Sequence, residues 1–344
     1  MSNHPDDVLP QIRKLSFVCP ICKHELQVKQ QQYCCNNCQR FYPVVGGIPD
    51  FRVFGDPYLD FAEDAKRTDI VLAALERLNL KDLLEYYWSY SDVTPPLLRA
   101  RFVQNALRGE SRGTRLLEIL KKSDAKSESR VLEIGSGTGN FLSVANQYFN
   151  QTVGVDIAMR WLHLSRRRFI DQGVSVPALV CCCAEYLPFK SGQFDVQVMV
   201  STLEFLKEPE RALVEAARVL GENGQLTINT VNRYSLTTNP YSQLWGVGFL
   251  SKKWQVKYVR FRRNASFENI KLFSLEKITE LSQRTFVNVE IKPADIDETI
   301  LITLPFYMKI MIKIYRAGKS MPGINTLLKY VTPEWDIQLK KPRN

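Results

Sequence analysis

Val131-Leu-Glu-Ile-Gly-Ser-Gly-Thr-Gly-Asn140 is an apolar run that ends in three alternating glycines, and Val153-Gly-Val-Asp-Ile157 is a second apolar run closed by a carboxylate. Gly135, Gly137 and Gly139 permit positive φ and let the backbone approach a ligand that a Cβ would push away. The pattern predicts a strand, a tight turn, a helix from near Gly139 to about Phe149, and a second strand. Asp156 falls where a carboxylate can accept hydrogen bonds from both hydroxyls of a ribose. The spacing separates ligand classes. A dinucleotide turn reads G-x-G-x-x-G and seats a pyrophosphate at the helix N-terminus. This chain reads G-x-G-x-G and carries Glu133 just ahead of the first glycine. An anion there repels a pyrophosphate and suits a cationic amino group, so charge argues against NAD.

Three further segments follow in order: Cys183-Ala-Glu-Tyr-Leu-Pro-Phe189, Phe194-Asp-Val-Gln-Val-Met-Val-Ser-Thr-Leu-Glu204 and Arg218-Val-Leu-Gly-Glu-Asn-Gly-Gln-Leu226. With the glycine turn they resemble the class I S-adenosylmethionine-dependent methyltransferases of the type 11 branch, over about residues 130–231. The resemblance implies an α/β fold with a doubly wound, seven-stranded, mostly parallel Rossmann-like sheet, and S-adenosyl-L-methionine as cofactor. It further implies Glu133, Gly135, Ser136, Gly137, Gly139, Asp156, Ile157, Cys183, Ala184, Glu185 and Ser201 as cofactor-binding residues. Two positions depart from the family pattern. Cys183 stands where relatives commonly place an Asp against the adenine amine, a contact that neighbouring backbone groups can supply. Phe205 replaces the His of the usual L-E-H and removes a polar group from the substrate side.

The eight cysteines are grouped. Cys19-Pro-Ile-Cys22 and Cys35-Asn-Asn-Cys38 form two C-x-x-C knuckles twelve residues apart, close to the spacing of a zinc ribbon over residues 15–50. Four thiolates close a tetrahedral shell around Zn2+ and leave no position for water, so such a site is structural. Cys34 is an alternative to Cys35, and the C-x-x-C spacing favours Cys35. The next segment, Phe41-Tyr-Pro-Val-Val-Gly-Gly-Ile-Pro-Asp50, is similar to the tail of zinc ribbons that precede bacterial methyltransferase domains. Cys181-Cys-Cys183 instead closes the apolar run Ala178-Leu-Val180, where burial is the expectation. The polar start and the lack of an apolar run approaching about 18 residues lead to the expectation of a cytoplasmic protein, at most peripheral at a membrane.

Residues 58–122 repeat apolar positions at helical spacing and predict an N-terminal helical extension, with Tyr86-Tyr-Trp-Ser-Tyr90 expected in its core. The methyltransferase domain is expected over 128–304, with an insertion at 232–273 after the fifth strand. Its sixth and seventh strands are expected at Thr285–Ile291 and Thr299–Leu304, followed by a helical tail over 305–344. Asn232, Arg233 and Tyr234 stand at the end of the fifth strand, where ligands of open α/β sheets bind, and are substrate-side candidates. Among the three histidines none stands where a catalytic base is needed, which leaves Glu204 as candidate.

Of the net charge of +10, the span 251–344 holds most, with 18 basic against 9 acidic side chains. Lys252, Lys253, Lys257, Arg260, Arg262 and Arg263 interleave with Trp254, Tyr258 and Phe261, a composition that suits phosphates, nucleobases or anionic lipid headgroups. The segment from Pro305 to Arg316 reads as a basic amphipathic helix suited to a membrane interface or to docking on its own domain. The sequence therefore points to a methyltransferase with a small-molecule or lipid-linked acceptor and an anionic membrane surface as a further partner. The alternatives are an RNA methyltransferase and a non-catalytic binding module that retains the fold.

Overall fold

The computed structural model describes residues 10–29, 32–90, 94, 96–295 and 306–342. Near the N-terminus β1 (Gln27–Lys29), β2 (Gln32–Cys34) and β3 (Phe41–Tyr42) form a small antiparallel sheet, and β4 (Val44–Val45) pairs with β5 (Ile48–Pro49). Helices α1 (Phe61–Leu75), α2 (Leu80–Ser89), α3 (Pro96–Arg108) and α4 (Glu110–Lys122) follow. Asp60 and Asn79 start the first two by accepting the backbone N–H of Glu63 and Asp82, which supplies acceptors for otherwise unpaired first-turn donors.

The alternation then becomes β6 (Arg130–Ile134), α5 (Asn140–Ala145), β7 (Gln151–Asp156), α6 (Met159–Asp171), β8 (Ala178–Cys181), β9 (Phe194–Val200), α7 (Pro209–Val219) and β10 (Leu220–Val231). It closes with α8 (Lys252–Arg263), α9 (Leu275–Thr285), β11 (Phe286–Pro293), α10 (Phe306–Lys319), α11 (Pro322–Val331) and β12 (Glu334–Pro342). The main sheet is mostly parallel and seven-stranded among the described residues, in the order β11-β12-β10-β9-β6-β7-β8. Near-continuous apolar runs such as Val131–Ile134 and Ala178–Cys181 suit strands covered on both faces, and both are buried throughout. Strands β6, β7 and β8 pair in parallel, whereas β12 is antiparallel to both β10 and β11.

Two compact units emerge, Met1–Val198 with Glu210–Gly224 and Met199–Pro209 with Gln225–Asn344. In the first, the ribbon shares a core with the α/β layers. Phe17 packs its ring 5.0 Å from Phe51 and 5.8 Å from Phe189, and Ile48 joins Leu142, Leu162, Phe169 and Leu179 in one buried cluster. Backbone bonds continue the join, with Val18 N–H donating to Pro188 O and Phe51 N–H to Cys181 O. The Tyr86–Tyr90 aromatics divide: Tyr87 is buried against Trp161 and Trp88 stacks on Phe102, while the Tyr86 and Tyr90 hydroxyls meet on the surface. All three cysteines of 181–183 are buried.

The second unit departs from the sequence reading at its end. The seventh strand is β12, in the span expected to be a helical tail, and the stretch expected to form it, 299–304, lies outside the described residues. The reason is period-two alternation: Trp335, Ile337 and Leu339 are fully buried, and the Trp335 indole donates to Lys329 O at 2.7 Å. The insertion 232–273 has a core of its own, built from Leu244, Val247, Val259, Phe267 and Ile270. In the first unit α5 ends at Ala145, short of the expected Phe149, because the chain turns there and Asn150 N–H bonds Ser127 O ahead of β7.

Candidate cofactor site and metal centre

The turn between β6 and α5 takes the conformation its glycines allow, with φ of 77° at Gly135, 50° at Gly137 and 77° at Gly139. Gly135 and Ser136 both donate their backbone N–H to Val155 O, which ties the turn to the end of β7. The glycines have different roles. A Cβ on Gly139 would stand 2.3 Å from Ser165 Oγ of α6, so this position serves close packing. A Cβ on Gly137 would meet nothing within 4 Å, which leaves a cradle open beside the backbone.

Two carboxylates stand on the strands joined to that turn, Glu133 on β6 and Asp156 at the end of β7. Asp156 accepts the backbone N–H of Gly137 on one oxygen and of Ala158 on the other, each at 2.9 Å. Burial raises its carboxyl to about 6 against the lowering effect of those two donors, with Asp56 raising it and Arg160 lowering it further. Glu133 is buried, and burial holds its carboxyl well above the ordinary range. Its Oε2 has no hydrogen-bond partner among the described residues, nor has the buried Ser136 Oγ. A buried carboxylate oxygen without a donor is costly, and a cationic amino group would supply one. The residues present therefore fit a ligand with a ribose and an ammonium group.

The remaining expected residues are placed as follows. The Ile157 carbonyl accepts from Arg52 at 3.3 Å. The Cys183 thiol, which stands at the adenine position of the family, accepts Val53 N–H at 3.4 Å and donates to Phe54 O at 3.5 Å, and burial pushes it up to about 11. Ala184 and Glu185 form a buried 3-10 turn after β8, where Arg211 lies 3.8 Å over the Tyr186 ring. Ser201, in the second unit, has φ of 48° and donates its N–H to Asn229 O. Sequence reasoning missed the charged network beside Ile157. Arg52 pairs with Asp50 and Asp64, and Arg160 with Asp56 and Asp64, all with little exposure. These residues are far apart in the chain and share no motif, so no local signal announces them.

On the second unit, Glu204 is 1% exposed and both its carboxylate oxygens are taken: Thr230 Oγ1 donates at 3.0 Å and the Tyr241 hydroxyl donates to the other. Burial raises this carboxyl to about 7. Phe205, at the position of the missing histidine, packs edge-on to Tyr241. Asn232 and Arg233, the substrate-side candidates, spend their side-chain donors on backbone. Asn232 donates to Tyr330 O and Thr332 O, and Arg233 to Gly248 O and Leu250 O, so both hold backbone. Such carbonyl partners come from distant segments and cannot be read from the strand end alone. Tyr234 is partly exposed beside Phe249.

In the ribbon, one ligand atom from each of Cys19, Cys22, Cys35 and Cys38 lies within 4.8 Å of every other. The closest pairs are Cys19–Cys38 at 3.5 Å and Cys22–Cys35 at 3.4 Å. A tetrahedron with metal–sulfur bonds of about 2.3 Å has edges of about 3.8 Å, so the four sulfurs fit one ion. The backbone N–H of His24 is aimed at Cys22 and lowers its thiol, whereas desolvation raises that of Cys38. Cys34 is buried outside this group.

Residues 132–228 match the family model described as a methyltransferase domain. An uncharacterized protein of Methanocaldococcus jannaschii is 30% identical over 167 residues, which are 45% of this chain and 75% of that protein. The ubiquinone/menaquinone biosynthesis C-methyltransferase of Paraburkholderia xenovorans is 30% identical over 37% of this chain and 52% of its own length. The malonyl-[acyl-carrier protein] O-methyltransferase of Laribacter hongkongensis is 34% identical over 33% of this chain and 40% of its own. The chain thus spans about half the length of these curated methyltransferases. With its ordered motifs, glycine turn and seven-stranded sheet, the chain thus carries a methyltransferase domain of the S-adenosylmethionine-dependent kind over residues 132–228.

Proposed function

We propose that the protein transfers a methyl group from S-adenosyl-L-methionine to a small-molecule or lipid-linked acceptor, and that its ribbon holds a structural zinc ion. The observation that carries the first half is the open space at Gly137, whose N–H Asp156 accepts, together with a buried Glu133 Oε2 that has no hydrogen-bond partner among the described residues. Asp156 would hold the ribose hydroxyls and Glu133 the methionine ammonium. Gly135, Ser136 and Gly137 would line the backbone side, and Ile157, Ala184 and Glu185 the side of the base, with Cys183 acting through the backbone it anchors. When bound, the cofactor supplies a methyl group already activated on a sulfonium. The chain's own work is to align an acceptor for in-line attack and to exclude water. The names of the quinone-biosynthesis and malonyl-carrier relatives support a small or carrier-linked acceptor over a polymer.

Titration calorimetry with S-adenosylmethionine tests the cofactor: one site per chain is expected, and no heat would end the catalytic reading. Incubation with methyl-labelled cofactor and fractionated extract tests the acceptor, with label expected in the lipid or small-molecule fraction; label confined to RNA overturns it. For the metal, elemental analysis should find one zinc per chain, lost in Cys19→Ser and retained in Cys34→Ser. Because such an ion couples to folding, chelation should lower the melting temperature of the first unit, whose ribbon and α/β layers share a core.

A further inference from the structure

Helix α8 is amphipathic in an unusual sense. Its inward side is set by the buried Gln255 and Val259, and by two cations that act as struts. Lys252 Nζ donates to Phe267 O and Ile270 O, and the Arg263 guanidinium to Ser242 O and Gln243 O. At 100° per residue the opposite pole falls on Trp254, Lys257 and Phe261, with Lys253 beside them. Trp254 is 58% and Phe261 85% exposed. The face directed to solvent thus carries the helix's two largest apolar rings, one of them with the Lys257 ammonium 5.0 Å from its centre.

The segment leading into the helix exposes further rings. Trp245 and Phe249 are more than half exposed, their ring centres 6.1 Å apart, and Leu236 is exposed as well. The helix itself, Lys-Lys-Trp-Gln-Val-Lys-Tyr-Val-Arg-Phe-Arg-Arg, contains no acid. Exposed tryptophan and phenylalanine with lysine between them are what an interfacial segment presents to a bilayer, the rings entering at headgroup depth and the cations meeting lipid phosphate. A strand of RNA would instead call for rings set along a groove that tracks its backbone. The rings here stand on the convex pole of a helix, and an aliphatic side chain is exposed with them.

We propose that the outward pole of α8, with Trp245 and Phe249, is a docking surface for the headgroup region of an anionic lipid bilayer. The contact is peripheral, since no helix among the described residues is long and apolar enough to cross a membrane. The surface shares no residue with those assigned to the cofactor, so membrane docking and methyl transfer can fail independently.

The experiment is co-sedimentation of the full chain with phosphatidylcholine vesicles, with and without about a third phosphatidylglycerol. Partitioning onto the anionic vesicles is expected to exceed that onto neutral ones by about tenfold, to fall in high salt, and to drop by about tenfold in both Trp254→Ala/Phe261→Ala and Lys253→Glu/Lys257→Glu. Affinity for S-adenosylmethionine should be unchanged in both variants, which also shows that they fold. As a check that needs no variant, brominated lipids should quench wild-type tryptophan fluorescence. Equal binding by wild type and the aromatic double variant, absence of quenching, or retention on RNA with no binding to anionic vesicles would each overturn the proposal.

Discussion

Each compact unit holds carboxylates at or just past the end of a strand, and the two treat them in opposite ways. In the first, Asp156 is held by two backbone donors and Glu133 keeps an oxygen without any. In the second, Glu204 is closed off by Thr230 and Tyr241, its backbone oxygen accepts Lys271 N–H, and Phe205 packs against the tyrosine. Desolvation raises all three carboxyls. An incompletely paired buried charge is strain that a ligand can relieve, whereas a fully paired one belongs to the protein's own architecture. The first arrangement is read as a site and the second as a clasp that secures the insertion.

The largest effect is expected from Asp156→Ala. It removes the acceptor for two backbone N–H groups and for the proposed ribose hydroxyls, and hydrogen bonds to a charged group contribute about 1.5–3 kcal/mol each. Affinity for S-adenosylmethionine should fall by about 100-fold or more in calorimetry. A fall of less than about threefold would break the contrast, because the open carboxylate would then have no ligand role. The glycines sharpen it from another side. Gly137→Leu fills the open cradle and should lower cofactor affinity at least about tenfold with only a strained φ as its folding cost, about 1 kcal/mol. Gly139→Ala drives a Cβ against Ser165 Oγ, so it should lower stability by about 1–3 kcal/mol in urea unfolding.

On the second unit, Tyr241→Phe strips one donor from a fully buried carboxyl. Leaving a buried acceptor unsatisfied costs about 1–3 kcal/mol, which urea unfolding should report, while the affinity for S-adenosylmethionine stays within about twofold. The reverse outcome, unchanged stability with turnover lost, would make Glu204 and Tyr241 a working pair and erase the distinction between site and clasp.

The same contrast describes what could be read in the sequence. The cofactor half was legible because its parts are local: three glycines, a carboxylate closing the next strand, and ordered segments that each occupy one strand or turn. The ribbon was legible for the same reason, since two C-x-x-C knuckles bring four sulfurs together. The second half depends on distant partners. Asn232 and Arg233 look like strand-end ligands until carbonyls 15 or more residues away claim them. The Asp50, Arg52, Asp56, Asp64 and Arg160 network joins three elements by charge alone. The last strand carried a readable signal in Trp335-x-Ile-x-Leu339, but the helical pattern just before it suggested that the tail was helical to its end.

The smallest effect follows from protonation and concerns the carboxyls of the first unit. Asp156 titrates at about 6 in the folded chain, above the ordinary 3.8. A raised folded value means that the folded state binds the proton more readily, so this residue's contribution to stability grows as pH falls through about 6 and is lost as pH rises through it. Glu204, at about 7, acts with the same sign. The buried His163, held down at about 3, acts with the opposite one, since unfolding exposes an imidazole that takes up a proton below about 6.5. A stability profile therefore sums opposed terms, whereas a binding profile reports only the two carboxyls assigned to the cofactor, Asp156 and Glu133, both raised by burial. If the ionised carboxylate is the form that accepts both backbone and ribose donors, affinity for S-adenosylmethionine should weaken by about tenfold between pH 7 and pH 5, because the ionised fraction of a group titrating near 6 falls by that factor. Asp156→Asn should bind more weakly throughout and lose the part of the step that Asp156 contributes, leaving only that of Glu133. A wild-type profile that stays flat over this range would mean that Asp156 holds the turn through its backbone donors alone, and the first unit's carboxylate would then be as much a clasp as the second's.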